Sequence, residues 1–348
     1  MSTRLLSSLS SVLSSPSLPF SLISLFVLLV LVLHLWRRSG GSSRPTLVRG
    51  PGVWRLQFGP WLWEEGHLTC FPVRCRLGPL FSMQLGPHFT LVVNSYDLAK
   101  EVLLTRGRDF AGRPKMASLS DGDGGIDPRD LLEALLRGQE GQKSEVISDD
   151  HVLMTAAETF GAGVETTSTT LLWIIAYMLH HPELEEQVGL ERPVRLSDRT
   201  RLPYVEAVIQ EGLRIRPVSP VLIPHTALTR TSLGGHPVQP GTRVLVNMWA
   251  LHHNPTDWPQ PDLFKPERFL DGRGGRVSPS CFLPFGAGPR VCVGESLARL
   301  ELFLFLSSLL QRISFSLPPA GPVPDLRGRL GVVLQPPPYL VVATPRHT

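Results

Sequence analysis

Cys292 stands in the run Phe285-Gly286-Ala287-Gly288-Pro289-Arg290-Val291-Cys292-Val293-Gly294, and an apolar helical stretch from Leu297 to Leu310 follows at once. A cysteine ligates a metal or attacks a substrate as the thiolate, and its neighbours here favour that form. Gly286, Gly288 and Gly294 permit positive φ and the close approach of a flat ligand. The helix downstream points its N-terminal amides toward the sulfur, which stabilises negative charge. Arg290 can pair with an anionic group on the same ligand. These are the parts needed to hold haem iron by an axial thiolate. The plainer reading is a buried structural cysteine in a Pro/Gly turn.

A second group of reactive side chains lies in the longest helical pattern, predicted from Asp149 to His181. It is opened by Ser148-Asp149-Asp150 and ended by His181-Pro182. There Ala162-Gly163-Val164-Glu165-Thr166-Thr167 interrupts an apolar face. Mid-helix glycines cost about 1 kcal/mol each against alanine, so a local distortion beside a polar cavity is expected. A hydroxyl from Thr166 and a carboxylate from Glu165 would suit proton delivery there; a solvent-facing Glu and a packing glycine are the plainer alternative. Glu211 and Arg214 stand at i,i+3 on a helix predicted from Leu202 to Arg214 and stopped by Pro217. Such pairs contribute little when exposed.

The elements that position these groups are legible as patterns. Residues 80–94 alternate around Gly86-Pro87 and predict a hairpin. Asp97 to Arg106 reads as a short helix capped by Ser95. Short strands are expected over 221–247, with turns at Gly234-Gly235 and Pro240-Gly241. Residues 252–280 are irregular and proline-rich, and Leu330–Leu334 and Tyr339–Val342 read as β structure.

Composition bounds the rest. The 348 residues are 42% hydrophobic and 18% charged, and Leu18 to Trp36 carries no charge before Arg37 and Arg38 close it. That run nearly matches a bilayer's hydrocarbon thickness, and the arginine pair after it places the remainder in the cytosol. A retained membrane anchor over residues 1–38 is therefore expected, then a Gly/Pro/Ser-rich linker and divergent segment over 39–77, then the main domain over 78–348. A cleaved signal peptide is the rival, disfavoured by the long apolar run and by the lack of a small-residue cleavage site directly after it. The net charge of +4 comes without a Lys/Arg block interleaved with aromatics, which argues against nucleic acid. It suits anionic lipid or an acidic redox partner. Cys70 and Cys75 have the wrong spacing for a CxxC motif. With Cys281 they read as structural or incidental thiols in a reducing compartment.

The full pattern F-x-x-G-x-R-x-C-x-G resembles the haem-binding loop of the cytochrome P450 superfamily. TFGAGVETTSTTLLW, RIRPVSPVLIPH and NMWALHHNPTDWPQPDLFKPERFL are similar to its microsomal steroid 17α-hydroxylase/17,20-lyase group. The resemblance implies a mainly α fold with small β-sheets. It implies haem b ligated by Cys292, within a loop that includes Phe285, Gly288 and Gly294, and Arg113, His225 and Arg290 around the propionates. It implies that Thr166 and Glu165 deliver protons to bound dioxygen, and that Ala162, Val218 and Ile223 line a steroid pocket. Glu211, Arg214 and Arg268 would form a buried supporting network. The activity implied is a membrane-anchored monooxygenase of C21 steroids at the endoplasmic reticulum, performing 17α-hydroxylation and 17,20 bond cleavage. Its electrons would come from NADPH through a flavoprotein reductase, with cytochrome b5 as a further partner. Another steroid-hydroxylating member of the superfamily is an alternative.

The departures are large. After Arg113-Pro114-Lys115-Met116 the chain passes through ASLSDGDGGIDP to Asp130-Leu131-Leu132. In the family that interval holds roof helices, and roughly 150 residues are missing, far more than a surface loop gives up. A W-x-x-x-R helix goes with them, and that spacing occurs nowhere in the chain. A smaller gap follows Glu186-Gln187-Val188. The truncated P450 fold would expose the inner face of the long helix and leave haem incompletely covered. An inert truncated or splice form that competes for reductase is therefore the second expectation.

Overall fold

Two antiparallel strands, β1 (Leu47–Gly50) and β2 (Val53–Gln57), begin a six-stranded mixed sheet of order β1-β2-β3-β4-β8-β5. The hairpin expected over residues 80–94 forms its centre. β3 (Leu80–Leu85) pairs antiparallel with β4 (His88–Val93), with Leu85 opposite His88. β8 (Arg243–Val246) lies parallel to β4, and β5 (His225–Thr226) closes the sheet antiparallel to β8. β6 (Thr231–Leu233) and β7 (His236–Val238) make a separate hairpin through Gly234 and Gly235. One buried cluster, with Val93, Leu103, Phe110, Val244 and Val246, packs on this sheet.

The computed structural model describes residues 47–50, 53–57, 78–85, 88–113, 149–183 and 192–346. The expected anchor, Cys70, Cys75, Gly86-Pro87, the break at 117–129 and the junction after Val188 lie outside the described residues. Of the expected linker over 39–77, the described parts, Leu47–Gly50 and Val53–Gln57, are strands of the sheet and β2 pairs with β3, which corrects the expectation there. No helix among the described residues is long and apolar enough to cross a membrane.

The helix expected from Asp97 is α1 (Tyr96–Lys100), which widens into one π turn over Glu101–Thr105. Ser95 takes the extended N-cap backbone, yet its side chain makes no cap hydrogen bond, a correction to the expected cap. The long helix α2 (Asp149–His180) is α-helical throughout, so the expected distortion near Gly163 is absent. Among the described residues, a Cβ added at Gly161 or Gly163 would meet nothing within 4 Å, so none of them packs there to bend the helix. Its two halves differ sharply. Phe160 is 74% exposed and Val164 56%, whereas Trp173, Ile174, Tyr177 and Met178 are buried.

The buried half crosses α3 (Pro203–Ile215), which opens on proline and ends two residues before Pro217. Close approach depends on Gly212, where a Cβ would lie 2.6 Å from Ile174 Cγ1. After α4 (Met248–His252), α5 (Glu295–Arg312) completes the helical core with Leu302, Phe303, Leu306 and Leu310. The tail forms β10 (Arg329–Leu330) against β11 (Leu334–Gln335), and β12 (Val342–Pro345) against β9 (Ile313–Ser316). The last strand starts later than the expected Tyr339. Pro336, Pro337 and Pro338 have no N–H for a ladder, and the Tyr339 hydroxyl donates to the Leu172 carbonyl at 2.7 Å instead.

Candidate functional site

The loop before α5 carries Cys292 in an exposed position, while Cys281 is buried. The plainer reading of Cys292 as a buried structural thiol therefore fails. Burial pushes the Cys281 thiol upward, with Asp257 adding to the shift. Gly286 and Gly288 both adopt positive φ, 72° and 71°. The Gly286 N–H donates to Leu283 O at 2.9 Å, and the Cys292 N–H to Phe285 O at 3.0 Å. Phe285 packs against the helical core, and the Arg299 guanidinium lies over its ring at 4.9 Å.

Gly288 has a second reason to be glycine. An added Cβ would sit 1.8 Å from Leu103 O of the π turn. We expect Gly288→Ala to destabilise the chain by at least about 2 kcal/mol, combining a strained φ with a backbone clash. A urea midpoint unchanged from wild type would refute this packing.

Arg113, His225 and Arg290 converge from three segments. Arg113 Nη1 donates to Ile223 O at 3.0 Å and Pro224 O at 3.1 Å. Arg290 Nε donates to Ala111 O at 2.7 Å. The buried His225 bonds Phe110 O through Nδ1 at 2.9 Å. Burial, then the charge of Arg290, lowers the Arg113 pKa. Burial is also the main cause that lowers His225 to about 4, with Arg113 and Arg290 adding to it. Among the described residues, no carboxylate forms an ion pair with Arg113 or Arg290. The two guanidinium groups, Arg113 and Arg290, in and beside the loop of an exposed thiol fit a flat dianionic ligand such as haem, and so does the glycine backbone at Gly288 and Gly294.

Three buried histidines make the fold acid-sensitive. His225 is lowered to about 4, His252 to about 3 and His253 well below 6.5, each chiefly by burial. The unfolded chain takes up protons first, so stability falls as pH drops below about 6.5 and keeps falling toward about 3. Thermal melts should show a lower Tm at about pH 5 than at about pH 7, with a smaller drop in His225→Gln. Equal drops in both proteins would contradict a neutral buried His225.

The two proposed proton carriers lie on α2. Thr166 Oγ1 donates to Ala162 O at 2.7 Å, and Glu165 Oε1 accepts from Gln335 Nε2 at 2.9 Å. Gln335 gave no signal in the sequence, because its only relevance is a bond across 170 residues. Ala162 and Ile223 are exposed, whereas Val218 packs against the helical core and its carbonyl accepts from the Leu334 N–H.

Glu211, Arg214 and Arg268 come together. Arg214 grips Glu211 through two bonds, Nε to Oε2 at 2.7 Å and Nη2 to Oε1 at 2.8 Å, and both side chains are 0% exposed. Glu211 Oε1 also accepts from the Lys265 backbone N–H at 2.8 Å and from Arg268 Nε at 3.4 Å. Arg214 reaches on to the carbonyls of His252 and Pro261, both at 2.8 Å. The neighbouring Arg216 is boxed by Trp173, Tyr177 and Trp249, and it donates to Leu326 O. Nothing local in the sequence signalled that box.

A cytochrome P450 family profile matches residues 45–126 and 118–343. The chain belongs to the cytochrome P450 family. The two matched stretches of the P450 profile meet where the roof block is expected to be missing. The steroid 17-alpha-hydroxylase/17,20 lyase of Oryzias latipes is 53% identical over 63% of this chain and 46% of its own length. A zebra fish cytochrome P450 solved with abiraterone is 43% identical at a TM-score of 0.72, covering 81% of this chain and 100% of that one. The zebra fish structure with progesterone is 41% identical at 0.72, covering 80% and 99%. The chain spans about half the length of the curated relatives it matches. The P450 fold here carries, as expected, a helical core with small sheets: one of six short strands and three of two strands among the described residues.

Proposed function

We propose that this chain is built to act as a haem-thiolate monooxygenase of C21 steroids, performing 17α-hydroxylation and 17,20 bond cleavage. The observation that carries this reading is the exposed Cys292 in its positive-φ loop beside Arg113, His225 and Arg290. Relatives named steroid 17-alpha-hydroxylase/17,20 lyase at about half identity support the substrate class. When bound, haem supplies the oxidising chemistry, the activation of dioxygen with two electrons and two protons.

The chain's own residues do the rest. Cys292 Sγ would hold the metal, and Arg113 and Arg290 would fix the orientation of the carboxylates. His225, whose Nδ1–H is taken by Phe110 O, would donate to a carboxylate through Nε2 only when the added anion raises its pKa and the ring is protonated. Glu165 takes protons from solvent and passes them to the Thr166 hydroxyl, which must leave the Ala162 carbonyl to hand them on. Ala162, Val218 and Ile223 contact the steroid. Glu211, Arg214 and Arg268 hold the loop's foundations. An NADPH-dependent flavoprotein reductase and cytochrome b5 are the proposed redox partners. The proposed setting is the endoplasmic reticulum membrane, with segment 18–36 as anchor and the catalytic domain, whose sheet already includes β1 and β2, on the cytosolic side.

A second reading, an inert form that competes for reductase, is favoured by the uncovered apolar half of α2, including Phe160 and Val164. Membranes carrying this chain and reductase, supplied with NADPH and progesterone, separate the two. 17α-Hydroxylated product supports the enzyme. Absence of product, with slowed turnover of an added intact steroid hydroxylase, supports the competitor. Hydroxylation at another carbon would move the chain to a different steroid-oxidising group.

A further inference from the structure

We infer that His252 is a positioning residue that transmits the rigidity of the buried Glu211–Arg214 pair to the cysteine loop through its bond to the Leu283 amide. The connection can be followed atom by atom. Arg214 Nη1 donates to the His252 carbonyl at 2.8 Å. The Leu283 N–H donates to His252 Nε2 at 3.2 Å. Leu283 O then accepts from the Gly286 N–H at 2.9 Å, and Phe285 O accepts from the Cys292 N–H at 3.0 Å. One residue thus joins the ion pair in α3, held through its backbone carbonyl, to the segment that presents the sulfur, held through its imidazole.

The chemistry of the ring supports the assignment. An amide N–H can only donate, so Nε2 must keep its lone pair and the neutral ring must carry its proton on Nδ1. A charged ring would face the amide with a second donor. His252 is fully buried beside the Arg214 guanidinium, and both its burial and that charge disfavour protonation. The ring cannot swing away from the amide, because Phe282 stacks on it at 5.6 Å and Trp258 meets it edge-on at 6.2 Å. The Nδ1 atom has no hydrogen-bond partner among the described residues. Among the described residues, the bond to Leu283 is therefore the ring's single hydrogen bond, and it points at the loop. The other carbonyls that Arg214 reaches, Pro261 and Leu263, tie down the proline-rich segment and have no such onward link.

The test compares His252→Leu, His252→Gln and His252→Asn in the full chain. Gln can place its Oε1 near the position of Nε2 and keep the acceptor; Leu and Asn cannot. The first readout is hydrogen–deuterium exchange over residues 282–292. Loss of one buried hydrogen bond should speed exchange there roughly tenfold to a hundredfold in Leu and Asn, and Gln should restore protection. The second readout, on the same samples with haem added, is the share of the reduced carbon monoxide complex with the strongly red-shifted thiolate band. That share should fall in Leu and Asn and recover in Gln.

Wild-type protection of 282–292 in His252→Asn, or a failure of Gln to restore it, overturns the inference. If His252→Leu does not fold, the Gln and Asn pair decides alone. The inference rests on the haem-thiolate reading only for the second readout. A wild-type chain with no red-shifted band would remove that reading and leave the exchange test standing.

Discussion

Replacing Cys292 by alanine is expected to abolish the red-shifted Soret band of the reduced, carbon monoxide-treated chain, because no other thiol stands in the same loop. The expected loss is complete, since thiolate ligation has no partial substitute among the groups nearby. Arg113 and Arg290 offer guanidinium nitrogens, which are poor metal ligands, and His225 is held by Phe110 O and kept neutral by burial. The control is Cys281→Ala. Cys281 is buried in the helical core, with its thiol pushed up by that burial. Its loss should leave the band in place and reduce stability by about 1 kcal/mol, the usual cost of a small buried truncation. A Cys292→Ala protein that retained the wild-type spectrum would defeat the ligand assignment. The same would follow if Cys281→Ala lost the band while Cys292→Ala kept it.

The second large effect is expected at Glu211. Its carboxylate neutralises a fully buried guanidinium and also accepts from the Lys265 amide and from Arg268. Glu211→Ala leaves Arg214 charged, dry and without a counter-charge. Breaking one side of such a pair costs about 3–5 kcal/mol. Set against a total stability of roughly 5–15 kcal/mol, this is enough to leave much of the chain unfolded. Arg214→Lys should also be poorly tolerated, because one ammonium cannot reproduce the planar fork that meets both Glu211 oxygens and the carbonyls beyond. Urea unfolding measures both. A Glu211→Ala midpoint within about 1 kcal/mol of wild type would show that the pair is relaxed or hydrated in solution.

These residues and the exposed face of α2 differ in what holds them. Cys292, Glu211, Arg214 and His252 are held by contacts among α3, α4, the proline-rich segment and the loop before α5. None of these bonds requires the N-terminal half of α2. Leu153, Met154, Phe160 and Val164, in contrast, stay exposed on that half. Exposed apolar surface of this kind invites association. Detergent should therefore raise the monomeric fraction of the chain, and Phe160→Ser should do the same without detergent. A chain monomeric without either would argue against it.

Read alone, the sequence determined what depends on near neighbours along the chain. The glycines around Cys292, the i,i+3 spacing of Glu211 and Arg214, the alternation over 80–94 and the proline stops of α2 and α3 all act through steric and hydrogen-bonding rules spanning a few residues. That is why these elements form close to where they were expected. Tertiary structure decided the groups joined across long separations. It placed His225 against Phe110, Leu283 against His252, Gln335 against Glu165, and three aromatic rings around Arg216. It also decided that the Ala162-Gly163 turn stays helical and that Cys292 faces outward. Burial and desolvation set these outcomes, and both depend on which distant segments pack together, a quantity that no local pattern of residues carries.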